Sequence, residues 1–304
     1  MLERSVGFDG YCVNAVDPAT LLVTSSVGDG LDTARAQRLF ELEARPSEPN
    51  TLRALARGPA FVASLSEATG GRVERSARIR ELFAPLGYAD ELRAALRVDG
   101  RCWGFLHLFR GRGGRFDERM VAGVARLTRL LAAALRAGTL RALTRGAPAF
   151  EPAFVAFAPR GSSVRTDETA RLAAELDDVA SSAVPHAVHD VACRLRAEGH
   201  ARATGVGRDG GARGFRGARL GTRTLVSVDR AAPDACEELL FAAGALTPRE
   251  LEVARCLARG ASNEDVARAL SIRLFTAKDH VRAVFRKLGV SQRVELLVRL
   301  RAAT

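Results

Sequence analysis

LTPRELEVARCLARGASNEDVARALSIRLFTAKDHVRAVFRKLGV, residues 246–290, is the segment in which start signals, stop signals and apolar spacing agree on one structure. Thr247-Pro248-Arg249-Glu250 sets an N-cap hydroxyl, a proline at the first helical position and a carboxylate at the third, with Leu246 and Leu251 as a flanking hydrophobic staple. This helix carries Leu251, Ala254, Leu257 and Ala258 on one face and stops at Gly260, which takes the left-handed cap conformation at little cost. Ser262 with Asp265 caps a second helix whose stripe is Val266, Ala267 and Leu270, and Ser271-Ile272 leaves room only for a tight turn. Within 274–288, Ala277, Val281, Val284 and Leu288 recur in steps of four, three and four, so Phe275, Lys278, Asp279, Arg282 and Arg286 point the other way. Two short helices, a tight turn and a third helix with a cationic outer face make a helix-turn-helix, whose second helix enters the DNA major groove. Gly289 closes that helix, and Ser291 starts a last one carrying Val294, Leu297, Val298 and Leu300.

These residues resemble the LuxR-type helix-turn-helix of bacterial transcription regulators. The match runs through Leu246 to Glu250, Ala258-Arg259-Gly260, Ser262-Asn263, Ala267, Leu270, Thr276, Lys278, His280-Val281, Lys287-Leu288-Gly289-Val290 and Arg293 with Glu295-Leu296. The resemblance implies that Lys278, Asp279 and Arg282 face bases while Thr276 and His280 lie near the sugar-phosphate backbone. Arg286 and Lys287, further along the helix, are candidates for phosphate contacts, and Ser262 and Arg293 join the expected DNA-contacting set. Two positions depart from the family: Arg273 stands where a serine usually caps the recognition helix, and Ala277 replaces a valine. A lost cap costs roughly 1 kcal/mol, so the helix start is expected to fray until DNA holds it.

At 304 residues the chain has room for two more domains in front of this module. The net charge of +11 and pI near 10.6 favour polyanionic partners, and would also suit RNA or an acidic membrane. Lys278 and Lys287 are the only lysines. A Walker-type phosphate loop or a Schiff-base nucleophile therefore has no lysine outside the C-terminal module, and neither does a phospho-acceptor receiver domain. Cys12, Cys102, Cys193, Cys236 and Cys256 are odd in number, widely spaced and without a CxxC pair, which reads as reduced, buried thiols. With no signal-like start and no apolar run near the ~20 residues that span a bilayer, a cytoplasmic protein without membrane contact is expected.

Residues 1–145 read as an α/β unit. Strands are expected at 11–16 and 20–27, a helix at 31–44, a short helix capped by Asn50, and another helix over 76–86. The clearest β signal is 92–109, where Asp99-Gly100 supplies a type I′ turn. Strict alternation puts Cys102, Gly104, Leu106 and Leu108 on one face and Trp103, Phe105, His107 and Phe109 on the other, which lines either packed core or a small-molecule cavity. Asp17-Pro18-Ala19-Thr20, Ser76-Ala77-Arg78-Ile79-Arg80, Leu86-Gly87, Glu91-Leu92-Arg93 and Cys102-Trp103-Gly104 resemble a GAF domain of the kind joined to LuxR-type modules. The resemblance implies a ligand-binding or dimerising unit; the aromatic strand face makes Trp103, Phe105 and His107 the candidate pocket, and no cofactor is assigned. The long helix after Phe116 repeats Met120, Val124, Leu127, Leu131 and Ala134, a seam for its own domain or for a second copy.

Residues 146–232 read as strand 150–158, helices 168–179 and 185–198, then strands 201–207, 212–220 and 222–228, an order that resembles a PAS domain. Gly205-Val206-Gly207-Arg208-Asp209-Gly210 fits GxGxxG, but no helix follows, so it is expected to be a hairpin turn. His186, His189 and Cys193 share one helical face, read as ordinary surface or partly buried residues in preference to a metal site. Residues 233–245 link to the helix-turn-helix domain, 233–304.

The chain is thus expected to be an α+β multidomain protein: GAF-like sensor, long connecting helix, PAS-like domain and all-α C-terminal module. No catalytic constellation supports an enzyme. The expected function is a one-component, sequence-specific transcription regulator whose sensors modulate dimeric DNA binding. The alternative is a small-molecule-binding or redox scaffold acting through protein contacts with weak DNA tethering. Expected partners are double-stranded DNA, a second copy of the chain, a small-molecule effector of unassigned identity and RNA polymerase.

Overall fold

The computed structural model describes residues 7–29, 31–111, 113–143, 151–158, 167–179 and 184–302. It is a mixed α/β structure of two largely antiparallel sheets and a C-terminal helical module.

The front stretch forms β1 (Gly10–Val16), β2 (Val23–Gly28), α1 (Thr33–Glu43), α2 (Leu52–Arg57), β3 (Val62–Ser64), α3 (Leu65–Ala68), β4 (Tyr88–Val98), β5 (Arg101–Gly111) and α4 (Glu118–Leu143). Asp99 and Gly100 both have positive φ, as a type I′ turn requires, and join β4 to β5 in one antiparallel hairpin. The cap of α2 is Thr51 in place of Asn50, which instead bonds the Ser64 carbonyl. The helix expected over 76–86 is a π turn, Ile79–Phe83, followed by a 3-10 turn, Ala84–Leu86, because Pro85 has no amide hydrogen to continue the ladder.

The β4–β5 ladder corrects the expected alternation. Leu96 pairs with Gly104 but Arg97 pairs with Cys102, so Trp103 is the extra residue of a bulge. Beyond it the faces exchange. Trp103 joins Leu106 and Leu108 under α4, whereas Cys102 and Phe105 pack with Val16, Val23 and Phe40 on the opposite face. The helix lies so close to the strand that a side chain at Gly104 would strike Leu135 and the Asn14 carbonyl. The inner seam of α4 is Val124, Thr128 and Ala132, with Leu131 and Leu135 at its margins, and it covers its own sheet.

The middle stretch supplies β6 (Ala153–Phe157), α5 (Asp167–Leu176), β7 (Asp178–Val179), α6 (His186–Glu198), β8 (Arg202–Val206), β9 (Ala212–Leu220) and β10 (Arg223–Arg230). Its sheet runs β6-β10-β9-β8, with α6 packed on one face. The GxGxxG segment is the β8–β9 turn, closed by Gly207 N to Gly211 O at 2.9 Å. Strand β7 pairs in parallel with β2, giving the front sheet the order β3-β4-β5-β1-β2-β7. Three buried carboxylates hold front and middle together by accepting backbone N–H groups: Asp190 from Val23, Asp177 from Ser26, and Asp17 from Thr204, each at 2.9 Å. The amides of β2 that would face an open edge are thereby satisfied.

The link after β10 is a helix, α7 (Pro233–Ala243), started by Pro233 and burying Cys236, Leu239, Leu240 and Phe241. It joins α4 to the C-terminal helices α8 (Pro248–Ala258), α9 (Asn263–Ala269), α10 (Leu274–Leu288) and α11 (Arg293–Ala302). One apolar core runs from Leu92 and Leu106 through Leu240 to Val284 and Leu288. No described helix is long and apolar enough to cross a membrane.

Candidate nucleic-acid interface

Helix α8 begins with the expected capping box. Thr247 Oγ1 accepts from Glu250 N at 3.3 Å, and Glu250 Oε2 accepts from Thr247 N at 2.7 Å. Ser262 and Asp265 repeat the device at α9, with bonds of 3.1 and 3.0 Å. The turn between α9 and α10 bends at Ser271, in the left-handed region, and closes with Ile272 N to Ala267 O at 3.0 Å. Arg249 braces it by donating to the Leu270 carbonyl at 2.6 Å.

Helix α10 buries Ala277, Val281, Val284 and Leu288, the face expected from the spacing. Its cap, Arg273, makes no side-chain hydrogen bond, so the first amides of α10 lack a capping acceptor. Lys278, Asp279, Arg282 and Arg286 are exposed on the outer face, and Thr276 and His280 are half-buried beside them. The Arg282–Asp279 ion pair, 3.1 Å long, is open to solvent and holds little energy, so a nucleic-acid acceptor can displace it. Lys278 and Arg286 have no ion-pair partner among the described residues. Two further cations, Arg268 and Arg273, are exposed at the end of α9 and the start of α10, and Phe275 stands 72% exposed between them and Lys278. Their place at the turn was the only sequence signal for them.

The other expected contact residues serve the module's interior. Lys287 Nζ lies 2.6 Å from Glu250 Oε2 and 3.3 Å from the Ala245 carbonyl, tying α10 to the cap of α8. Burial raises the Glu250 carboxyl, but Lys287 and Thr247 outweigh it and hold it below the usual carboxylate range. Arg293 donates to Asn263 Oδ1 at 3.0 Å, joining α11 to α9, and the Ser262 hydroxyl is occupied by its cap.

The residues expected to line a pocket in the front domain are not brought together. Trp103 lies under α4, while Phe105 is fully buried in the opposite core. His107 Nδ1 is 3.3 Å from Glu91 Oε1, within a buried network in which Arg78 pairs with Glu48 and Glu91, and Arg93 with Glu43 and Glu91. Burial lowers the His107 pKa, outweighing the neighbouring Glu91 carboxylate. These ionic side chains fill the space beside the aromatic strand face.

His186, His189 and Cys193 are buried, beyond the partial burial expected. His186 bonds Asp177 at 2.8 Å, and burial, followed by the charges of His186 and Arg196, pushes His189 down to about 3. Among the described residues no group of three or more His, Cys, Asp or Glu is placed to hold a metal. Burial pushes the thiols of Cys12 and Cys193 up to about 12 and those of Cys102 and Cys236 up to about 11.

Residues 244–300 match the family described as bacterial regulatory proteins, luxR family, so the C-terminal module is a LuxR-type helix-turn-helix domain. The transcriptional regulatory protein DesR of Bacillus subtilis is 35% identical over 68 residues, 22% of this chain and 34% of DesR. A Mycobacterium tuberculosis protein named "Putative HTH-type transcriptional regulator" is 41% identical over 54 residues, 18% of this chain and 6% of the relative. The chain therefore spans about a third of DesR's length and a small fraction of the mycobacterial relative's.

Proposed function

We propose that this protein is a cytoplasmic, one-component transcription regulator that binds specific DNA sequences as a dimer and is not an enzyme. The observation that carries the reading is the outer face of α10, where Lys278, Arg282 and Arg286 are exposed over a well-packed inner face within a LuxR-type module. In this reading Lys278 and Arg282 donate to base edges and Arg286 to phosphate. Thr276 and His280 flank the sugar-phosphate backbone, and Asp279 orients Arg282.

Dimerisation is assigned to α11, whose Val294 and Val298 are 64% and 56% exposed one turn apart. The inner seam of α4 is already covered by its own sheet. A GAF-like front is supported by the strand order β3-β4-β5-β1-β2 with α4 laid across it, and a PAS-like middle by the β8–β10 meander. The redox scaffold is disfavoured, because burial pushes four of the five thiols above their ordinary pKa, away from the thiolate that redox chemistry needs.

Selection from a random duplex library with the full chain tests this. Enrichment of paired half-sites about one helical turn apart is expected. Recovery of unenriched DNA would leave the module a nonspecific tether.

A further inference from the structure

A cleft of about 460 Å³ lies where the β4–β5 hairpin, the β8–β9 sheet face and helices α7 and α8 meet. Its size falls within the range of small-molecule sites. Trp103, Leu239, Phe241 and Leu251 give it an apolar wall, and Arg101, Arg136, Arg202, Arg216 and Arg255 surround it.

Arg202 and Arg216 are directly opposite each other in the β8–β9 register. Like charges so placed oppose strand pairing, and neither arginine has an ion-pair partner among the described residues. Arg101 and Arg255 are likewise without one. The carboxylates of the lining do not balance this charge. Asp99 is held by Arg136 at 2.8 Å, and Asp17 is occupied by the amides of Ala19 and Thr204. Only Asp234 and Glu238 stand uncommitted against the four arginines. Two lining residues also carry buried donors without acceptors, Trp103 Nε1 and Arg136 Nε.

We infer that this cleft binds a small organic anion, a carboxylate or phosphate on a planar apolar body. Arg202 and Arg216 receive the anionic group as a pair of guanidinium forks, and the apolar body lies against the Trp103 wall. The cleft is on the α4 side of the front sheet, away from the ionic network around His107. Its lining comes from the front hairpin, the middle sheet and α8 of the DNA-binding module. Occupancy therefore bridges the module to both preceding units. The inference rests on the cleft and stands or falls separately from the DNA-binding proposal.

The test uses the full chain at constant ionic strength, titrated with benzoate and phenyl phosphate, and with neutral benzyl alcohol as control. Trp103 is the only tryptophan, so its fluorescence reports the cleft directly. A saturable change is expected with the two anions below about 10 mM, the range for fragments of this size, and none with the alcohol. Arg202→Met and Arg216→Met should each raise the half-saturating anion concentration by about tenfold or more. Without anion both variants should melt no lower than the parent, since each removes a like-charge opposition. The inference is overturned if neither anion gives a saturable change, if the alcohol gives the same change, or if both variants respond as the parent does.

Discussion

Lys278 and Lys287 lie nine positions apart on one helix and end in opposite surroundings. Lys278 is open to solvent, whereas Lys287 is locked to Glu250 at 2.6 Å. Lys287→Met leaves a capping carboxylate without its cation and should destabilise the protein by roughly 1 to 3 kcal/mol, read as a lower melting temperature. DNA affinity per folded molecule should stay near that of the parent. The distinction was not legible in the sequence, because which side of α10 meets α8 depends on how the helices cross. The middle stretch gives a second residue-scale test. Burial pushes Asp190 up to about 7 from an ordinary 3.8. A raised acid pKa means that the folded state disfavours the charge: the cost is absent below the ordinary pKa, grows as pH rises, and is complete above about 7. Asn keeps an acceptor for the Val23 amide without that charge. Asp190→Asn should therefore raise the melting temperature over the parent more at pH 8 than at pH 5. An equal difference at both pH values would mean that ionisation of Asp190 does not cost the fold stability.

At the scale of elements, local signals decided most of what was legible. The capping boxes at Thr247 and Ser262, the Asp99-Gly100 turn and the four buried positions of α10 follow from spacing alone. What escaped was set by register and tertiary packing. A one-residue bulge carries Trp103 to the other face of β5, and no alternation pattern encodes it. Helix α7 occupies the stretch expected as a linker, although Pro233 and the buried Leu239-Leu240-Phe241 mark a helix. The uncapped start of α10 was legible and yields a test. Arg273→Ser should add an acceptor for the free amides and stabilise the module by about 1 kcal/mol, raising the melting temperature.

Across the whole molecule, the continuous core from the front sheet through α7 to the C-terminal helices couples units whose sequence signals look separable. Leu240 is 2% exposed within it. Leu240→Ala should cost roughly 2 to 5 kcal/mol and lower the unfolding of the front sheet and the C-terminal helices together. A loss confined to one of them would mean that the core is not shared in solution. The front and middle elements were largely legible, but their joining through β7, Asp177 and Asp190 was not, since it depends on contacts more than a hundred residues apart. Sequence-specific DNA recognition by the outer face of α10 is tested by titrating Lys278→Ala, Arg282→Ala and Arg286→Ala against a selected duplex and its scrambled counterpart over a range of salt. Alanine at Lys278 or Arg282 should weaken the selected duplex by roughly 1 to 3 kcal/mol and the scrambled one far less. Alanine at Arg286 should weaken both and flatten the salt dependence by up to about one unit. Equal losses on both duplexes for Lys278→Ala and Arg282→Ala would contradict base reading by this face.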